Sequence, residues 1–331
     1  MKFLLDDEQR DFARSLDALL SAADTPSVVR AWAGGDPAAG RALWERLAQA
    51  GVFALAVPER YEGLGPLPVE LAVAFEQLGR YAVPGPVVET VAAAAFLERL
   101  GQPEPAAAWL PSLASGKAVA SLCVPSVCGP YALDADAADT VLVVDGDTVR
   151  LAESAGPVQP SADPARRLAR PVVGTGDPLA RGQAVADAAA YAADMAALGT
   201  AAQALGVGRA LLEHTVRYAR QRTQFGQVIG SFQAVKHRLA DTLVALEFAQ
   251  PLVHSAALAM AGADRAAATR EVAAAKVTAC EAAYTAARTA LHLHGALGYT
   301  DELDLSLWIR KARALRTAWG TPSRCRARVL S

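Results

Sequence analysis

The sequence has no CxxC pair. Its cysteines, Cys123, Cys128, Cys280 and Cys325, stand without a histidine cluster beside them. They read as buried or idle thiols rather than metal or redox groups. The spacing of Cys123 and Cys128 permits a disulfide, which a cytoplasmic chain rarely uses. No excess of one charge sign exists either: 32 basic residues face 34 acidic ones. That balance gives no electrostatic reason to expect nucleic acid or an anionic membrane as partner. No run of about 20 apolar residues is free of charge, so no membrane span is expected. The opening MKFLLDDEQRDF has too short an apolar core, Phe3 to Leu5, for a signal peptide, and acids follow at once. A cytoplasmic protein is expected.

What is present is 331 residues with 53% apolar and 20% charged side chains, enough for a sizeable core in one to three domains. From Asp6 to Ala23 apolar residues recur at helical spacing as Phe12, Leu16, Leu19 and Leu20. Acids near its start suit the helix dipole. Helices also fit Gly40 to Ala50, Pro68 to Leu78 and Val87 to Leu100. After Gly101 the texture changes. Ala118 to Val124 and Thr140 to Val144 are β-rich, and Asp145-Gly146-Asp147 predicts a tight turn into Thr148 to Leu151. From Gln183 onward the pattern is helical again, over roughly 184–221, 232–261, 264–293 and 302–318. Four long helices with short loops predict an antiparallel bundle. Gly206-Val207-Gly208 lies inside the first of them without a preceding strand, which predicts tight helix packing rather than a nucleotide loop.

The most informative stretch is Arg217 to Ala240, RYARQRTQFGQVIGSFQAVKHRLA. It reads as helix, loop and helix, with Arg222 closing the first helix and Gln233 in the first turn of the second. An arginine fork beside a helix N-terminus suits a phosphate-bearing ligand. On spacing alone, a surface arginine and a capping glutamine are the plainer reading. RTQFG with FQ following at Phe232-Gln233 resembles the signature of the acyl-CoA dehydrogenase family. His294 to Glu302, HGALGYTDE, is similar to that family's HGGxGYTxE, and Arg310 matches an arginine that follows it. LWERLAQAGVFALAVPERYEGLG resembles its first domain. The resemblance covers most of the chain.

This resemblance implies a mainly α fold: an N-terminal helical domain over 1–115, a small, reduced β domain over 116–182, and a C-terminal four-helix bundle over 183–331. It implies FAD and α,β-dehydrogenation of an acyl-CoA thioester. In the family the RTQFG arm and the HGGxG segment reach across a subunit interface to the neighbour's flavin. Carried over, Arg222 meets the pyrophosphate, and Gln224, Phe225 and Gln233 line the same cofactor. His292 stands where the family often has glutamine, and Gly295-Ala296 stand for its Gly-Gly.

The family's catalytic glutamate has no counterpart. Its C-terminal position falls on Trp319 in Ala318-Trp319-Gly320-Thr321, and its alternative position falls near Ala196. Neither side chain accepts a proton. The family's TEPGAGSD-like flavin support is replaced by Cys123 to Gly129, where Pro125 removes a backbone donor. Groups serving the chain's own site are gone, while groups that serve a neighbour remain. The expectation is a subunit without a catalytic residue in an α2β2 heteromer, beside a homologous catalytic subunit. The resemblance extends to heteromers acting on steroid side-chain thioesters. Two alternatives stand: a self-sufficient dehydrogenase with a relocated base, Glu302 or Glu213, and a non-enzymatic scaffold. Trp319 is expected to fill the space left by substrate. His214, His237, His292 and His294 are read as capping or core groups.

Overall fold

The computed structural model describes residues 4–331, so Met1 to Phe3, where the apolar stretch expected to be too short for a signal peptide begins, lie outside the described residues. The N-terminal part is built from α1 (Asp7–Ser21), α2 (Thr25–Ala33), α3 (Ala38–Gln49), α4 (Pro68–Arg80), α5 (Val87–Leu100) and α6 (Pro103–Ala114). α1 starts on a capping box: Asp6 accepts from the Gln9 backbone N–H, and Gln9 accepts from that of Asp6. α5 has buried side chains around most of its circumference, so it is a core helix rather than an amphipathic surface one. Sequence periodicity predicts α1, α3, α4 and α5. It misses α2 and α6, which carry Pro at N1 or N2, and Pro111 inside α6. A proline in the first turn is compatible with a helix, because that N–H has no intrahelical partner.

The middle of the chain holds short strands. They are β1 (Ala120–Cys123), β2 (Ala132–Leu133), β3 (Thr140–Asp145), β4 (Thr148–Ser154), β5 (Val158–Gln159), β6 (Leu168–Ala169), β7 (Val172–Val173) and β8 (Ala180–Arg181). A one-turn helix, α7 (Pro125–Cys128), follows β1. β1 pairs in parallel with β3, and β3 runs antiparallel to β4 with Asp145 opposite Thr148. The predicted tight turn is therefore the two-residue loop Gly146-Asp147. β4 also pairs with β7 and β8. Thr90 of α5 donates its hydroxyl to the Ala120 carbonyl and accepts from the Ala120 N–H, tying this sheet to the helices.

The C-terminal part consists of α8 (Gln183–Gln221), the short strands β9 (Thr223–Gln224) and β10 (Gln227–Val228), α9 (Gln233–Ala261), α10 (Arg265–His294), α11 (Leu305–Leu315) and α12 (Pro322–Leu330). The first four predicted helices match to within a few residues. α12 is unpredicted. Thr321 caps it by accepting from the Arg324 N–H, and Arg328 anchors it to buried Asp194.

The long helices pack backbone to backbone. A Cβ at Gly206 would lie 1.9 Å from the Glu76 carbonyl oxygen, and one at Gly79 would lie 2.0 Å from that of Gln203. Gly206 is thus a packing residue at the α4–α8 crossing. By length and composition alone α8 and α9 could cross a membrane, against the expectation that no segment would. Alanine-rich bundle helices pass the same test. In α8, 83% of the apolar window is buried inside the fold, but in α9 only 39% is. Much of the outer face of α9 is exposed in the single chain.

Gly206→Ala should separate α4 from α8 and cost at least about 3 kcal/mol, since a backbone atom cannot yield as a side chain can. Equilibrium urea unfolding checks this; a loss below 1 kcal/mol, the ordinary scale for a surface change, would contradict the close crossing.

Candidate cofactor arm and the cavity at Trp319

The chain direction gathers the predicted cofactor residues. α8 ends where α9 begins, and α10 runs parallel to α8, so the C-terminus of α10 lies at the same end of the bundle. The Tyr218 and His294 rings stack with centroids 4.0 Å apart, which joins the last turns of α8 and α10. His294 also holds the Ala290 carbonyl through Nδ1 at 2.8 Å.

Between α8 and α9 the backbone makes a hairpin arm. β9 and β10 pair with Gln224 opposite Gln227. Phe225 and Gly226 form its tip at φ 53° and 78°, which is the pattern of a two-residue hairpin turn with both central residues left-handed. Glycine adopts that conformation freely, but phenylalanine does so at a cost. The Phe225 side chain is 91% exposed. Arg222, Gln224 and Gln233 are exposed as well. Among the described residues their side chains have no intrachain hydrogen-bond or ion-pair partner.

α9 has no side-chain N-cap: its N-cap residue is Phe232. The backbone N–H groups of Gln233 and Ala234 are therefore left free at the helix's positive end, beside Arg222. Gly295 adopts φ 61° and a Cβ there would meet nothing within 4 Å. His292, Gly295 and Ala296 are exposed. Each predicted residue thus sits on the outer surface of one bundle end. None of them enters the chain's own interior cavity.

That cavity, of about 430 Å³, lies between the short sheet, α5 and the end of α11. Leu122, Leu133 and Trp319 form apolar walls, and Arg166, Arg313 and Arg316 bring positive charge. The expectation that Trp319 fills the space is corrected here. The indole is buried and lines the cavity wall, held there because its Nε1–H donates to Glu89 Oε1 at 3.0 Å. Trp319 takes φ 53°, a strained value for a bulky residue.

A second correction follows from the same contact. Sequence counting places no carboxylate near Trp319, yet Glu89 of α5 reaches it from 230 residues away. Glu89 is buried, its Oε1 lies 3.8 Å from Arg166 Nη2, and its Oε2 has no partner. No local motif around Glu89 marks it. The available signal is a single acid inside the otherwise apolar run Val87 to Phe96. The proposed replacement bases lie elsewhere: Glu213 is exposed and engaged by Arg80 at 2.9 Å, and Glu302 is exposed on the loop before α11. Ala196 is fully buried inside α8.

Beneath the cavity lies a charged cluster. Asp134 accepts from Trp32 Nε1–H at 3.0 Å and from the Arg167 N–H at 3.2 Å. Burial pushes its carboxyl up to about 7. Lys311 donates to the Val83 carbonyl at 2.7 Å, and burial brings its ammonium down to about 8. Among the remaining histidines, burial also lowers His214, which packs against Trp308 with ring centroids 5.2 Å apart. His237 is exposed.

Comparison with known proteins agrees with this architecture. Residues 6–117 match the acyl-CoA dehydrogenase N-terminal domain, and residues 186–329 match the acyl-CoA dehydrogenase C-terminal domain. The acyl-CoA dehydrogenase IpdE2 of Mycobacterium tuberculosis is 36% identical over 310 residues, covering 92% of this chain and 91% of that protein. The ChsE4-ChsE5 complex from Mycobacterium tuberculosis superposes with a TM-score of 0.85 at 26% identity, over 99% of this chain and 98% of that one. A glutaryl-CoA dehydrogenase from Mycobacterium smegmatis in complex with FADH2 shares the fold, with a TM-score of 0.82 at 19% identity over 98% and 94% of the two chains.

The raised Asp134 carboxyl has a measurable consequence. Between its ordinary value of 3.8 and about 7, folded Asp134 keeps a proton that the unfolded chain has lost, so its contribution to stability falls as pH rises through that window. Asn tolerates the left-handed backbone of position 134, at φ 51°. Asp134→Asn should therefore gain stability relative to wild type on going from pH 5 to pH 8, by about 3 kcal/mol. Urea unfolding at both pH values checks this; parallel pH dependence of the two proteins would contradict a buried titrating Asp134.

By its two matched domains, its near full-length relative and its architecture, this chain belongs to the acyl-CoA dehydrogenase family.

Proposed function

We propose that this chain is the non-catalytic subunit of a heteromeric FAD-dependent acyl-CoA dehydrogenase, completing the flavin site of a homologous catalytic subunit. One observation carries the reading. Arg222, Gln224 and Gln233, candidate phosphate ligands, are exposed at one bundle end without side-chain partners among the described residues, while Trp319 stands at the position the sequence resemblance assigns to the family's base. The residues present fit the diphosphate end of FAD. Arg222 supplies a permanent positive charge, and the free N–H groups at the start of α9 supply fixed donors. Phe225, at the arm's tip, offers an aromatic face for packing across an interface. His292, Gly295 and Ala296 present a second exposed segment at the same end, where Gly295 leaves room for close backbone approach.

A partner surface adjoins the arm. Leu243, Val244 and Phe248 expose apolar side chains along α9, with Phe248 71% accessible, an arrangement suited to burial against another chain. A structural neighbour, ChsE4-ChsE5, is itself a complex of two different subunits. In the assembled enzyme FAD would accept hydride from the β-carbon of an acyl-CoA thioester, with a steroid side-chain thioester among the candidate substrates. In this reading the partner subunit supplies the base, and this chain binds and orients.

The reading is tested by flavin content. Purified with its catalytic partner, the complex should carry about one FAD per two chains, and Arg222→Ala should lower flavin occupancy at least tenfold in affinity. Absorbance of released flavin per protein reports both. Unchanged flavin binding in Arg222→Ala would instead fit a scaffold that retains only the fold.

Glu89 favours a second reading, a self-sufficient enzyme with a relocated base, because it is a carboxylate with one unpartnered oxygen beside Trp319. In that case the chain alone should bind flavin and be bleached by acyl-CoA, and Glu89→Gln should slow bleaching by about 10²–10⁴-fold. Absence of bleaching by the chain alone removes this reading.

A further inference from the structure

Cys123 ends β1 and Cys128 ends the single turn of α7, so the tight connection folds the two residues back toward each other. Both thiols approach one acceptor: Cys123 Sγ lies 3.8 Å and Cys128 Sγ 3.7 Å from the Gly129 carbonyl oxygen. Cys128 Sγ also lies 3.3 Å from the Val124 carbonyl oxygen, and each thiol shifts the other's titration, which marks them as neighbours. They form a thin partition between two cavities. Cys128 opens on the 430 Å³ cavity of Trp319, and Cys123 on a second cavity of about 550 Å³ that also contains Arg150 and Arg170. The other two cysteines are buried and line neither cavity.

We infer that Cys128 and Cys123 are a redox-active dithiol that a peroxide converts to an intramolecular disulfide. The chemistry follows from the arrangement. The thiolate, rather than the thiol, is the nucleophile. The neighbouring Cys123 thiol holds the Cys128 thiol below its usual range, while Cys123 itself is pushed up. Cys128 is the half-buried member and lines the 430 Å³ cavity beside Trp319. Its thiolate attacks one peroxide oxygen; the O–O bond breaks, and with hydrogen peroxide the leaving hydroxide takes a proton to become water. Cys128 is now a sulfenic acid. The Cys123 sulfur then attacks the Cys128 sulfur, forming the S–S bond and releasing the sulfenic oxygen as a second water. Two electrons leave the thiol pair, and one peroxide is reduced to two waters. A dithiol reductant reverses the change. This inference is independent of the subunit role, because it concerns only groups within this chain.

The whole chain, purified reduced, is treated with equimolar hydrogen peroxide, alkylated under denaturing conditions and mapped by mass spectrometry. The expected result is loss of two of the four titratable thiols, a mass decrease of about 2 Da, a peptide linking Cys123 to Cys128, and recovery with dithiothreitol. In Cys123→Ser the sulfenic acid at Cys128 should persist and react with dimedone. In Cys128→Ser, oxidation should slow at least tenfold. Four thiols surviving in the wild type, or a link between Cys280 and Cys325 instead, would overturn the inference. So would wild-type oxidation rates in both serine variants. The wild-type mapping decides the question even where a variant folds poorly.

Discussion

Burial of charge at the junction of the helical segments with the short sheet is the constraint on which the rest of this molecule depends. Glu89 of α5, Asp134 after β2 and Asp163 before β6 are almost fully removed from water, as is Lys311 of α11. Arg166 sits among them. Isolated buried charges cost several kcal/mol each. They persist here because every element that meets at the junction supplies a partner. Trp32 of α2 donates to one oxygen of Asp134, Trp319 to one oxygen of Glu89, and the Ala82 and Val83 carbonyls accept from Lys311, while one oxygen each of Glu89, Asp134 and Asp163 has no hydrogen-bond partner among the described residues. The indoles are thus hydrogen-bond donors as much as hydrophobic bulk. Removing one member leaves another uncompensated, so the cluster fixes how the three parts of the chain meet.

The same junction explains the altered cavity. A carboxylate at position 319 would face Glu89 across about 3 Å, and two like charges at that distance cannot both ionise in a buried site. Trp319 replaces repulsion with a donor–acceptor contact. The strained φ of 53° is held by that contact and by packing in the wall. The indole is thus a wall of the cavity, and its contact with Glu89 holds it there.

At the opposite extreme stands the bundle end. Its arm, the capless start of α9 and one face of that helix are exposed. Interior polar groups here find partners almost without exception, with few atoms left unsatisfied among the described residues. The absence of intrachain partners around Arg222, Gln224 and Gln233 is informative because the rest of the molecule is so complete.

Helix periodicity determined the long elements of the bundle, the first helices and the β3–β4 hairpin, since apolar spacing and a glycine turn act over neighbouring residues. The short motifs RTQFG and HGALGYTDE fixed the family, and their order placed both at one end of the bundle once the helices were assigned. Helices α2, α6 and α12 escaped: each is short and has proline in its first turn, whereas α4, also led by proline, carries a longer apolar periodicity that shows through. Glu89 escaped for a different reason. Its meaning lies in a contact 230 residues distant, and a single acid in an apolar helix carries no trace of what it faces. Only tertiary structure, by bringing α5 against the turn after α11, decided that Trp319 has a carboxylate beside it and a cavity next to it. The thiols of Cys123 and Cys128 were likewise visible as a spacing, but the fold decided that they share one carbonyl and divide two cavities.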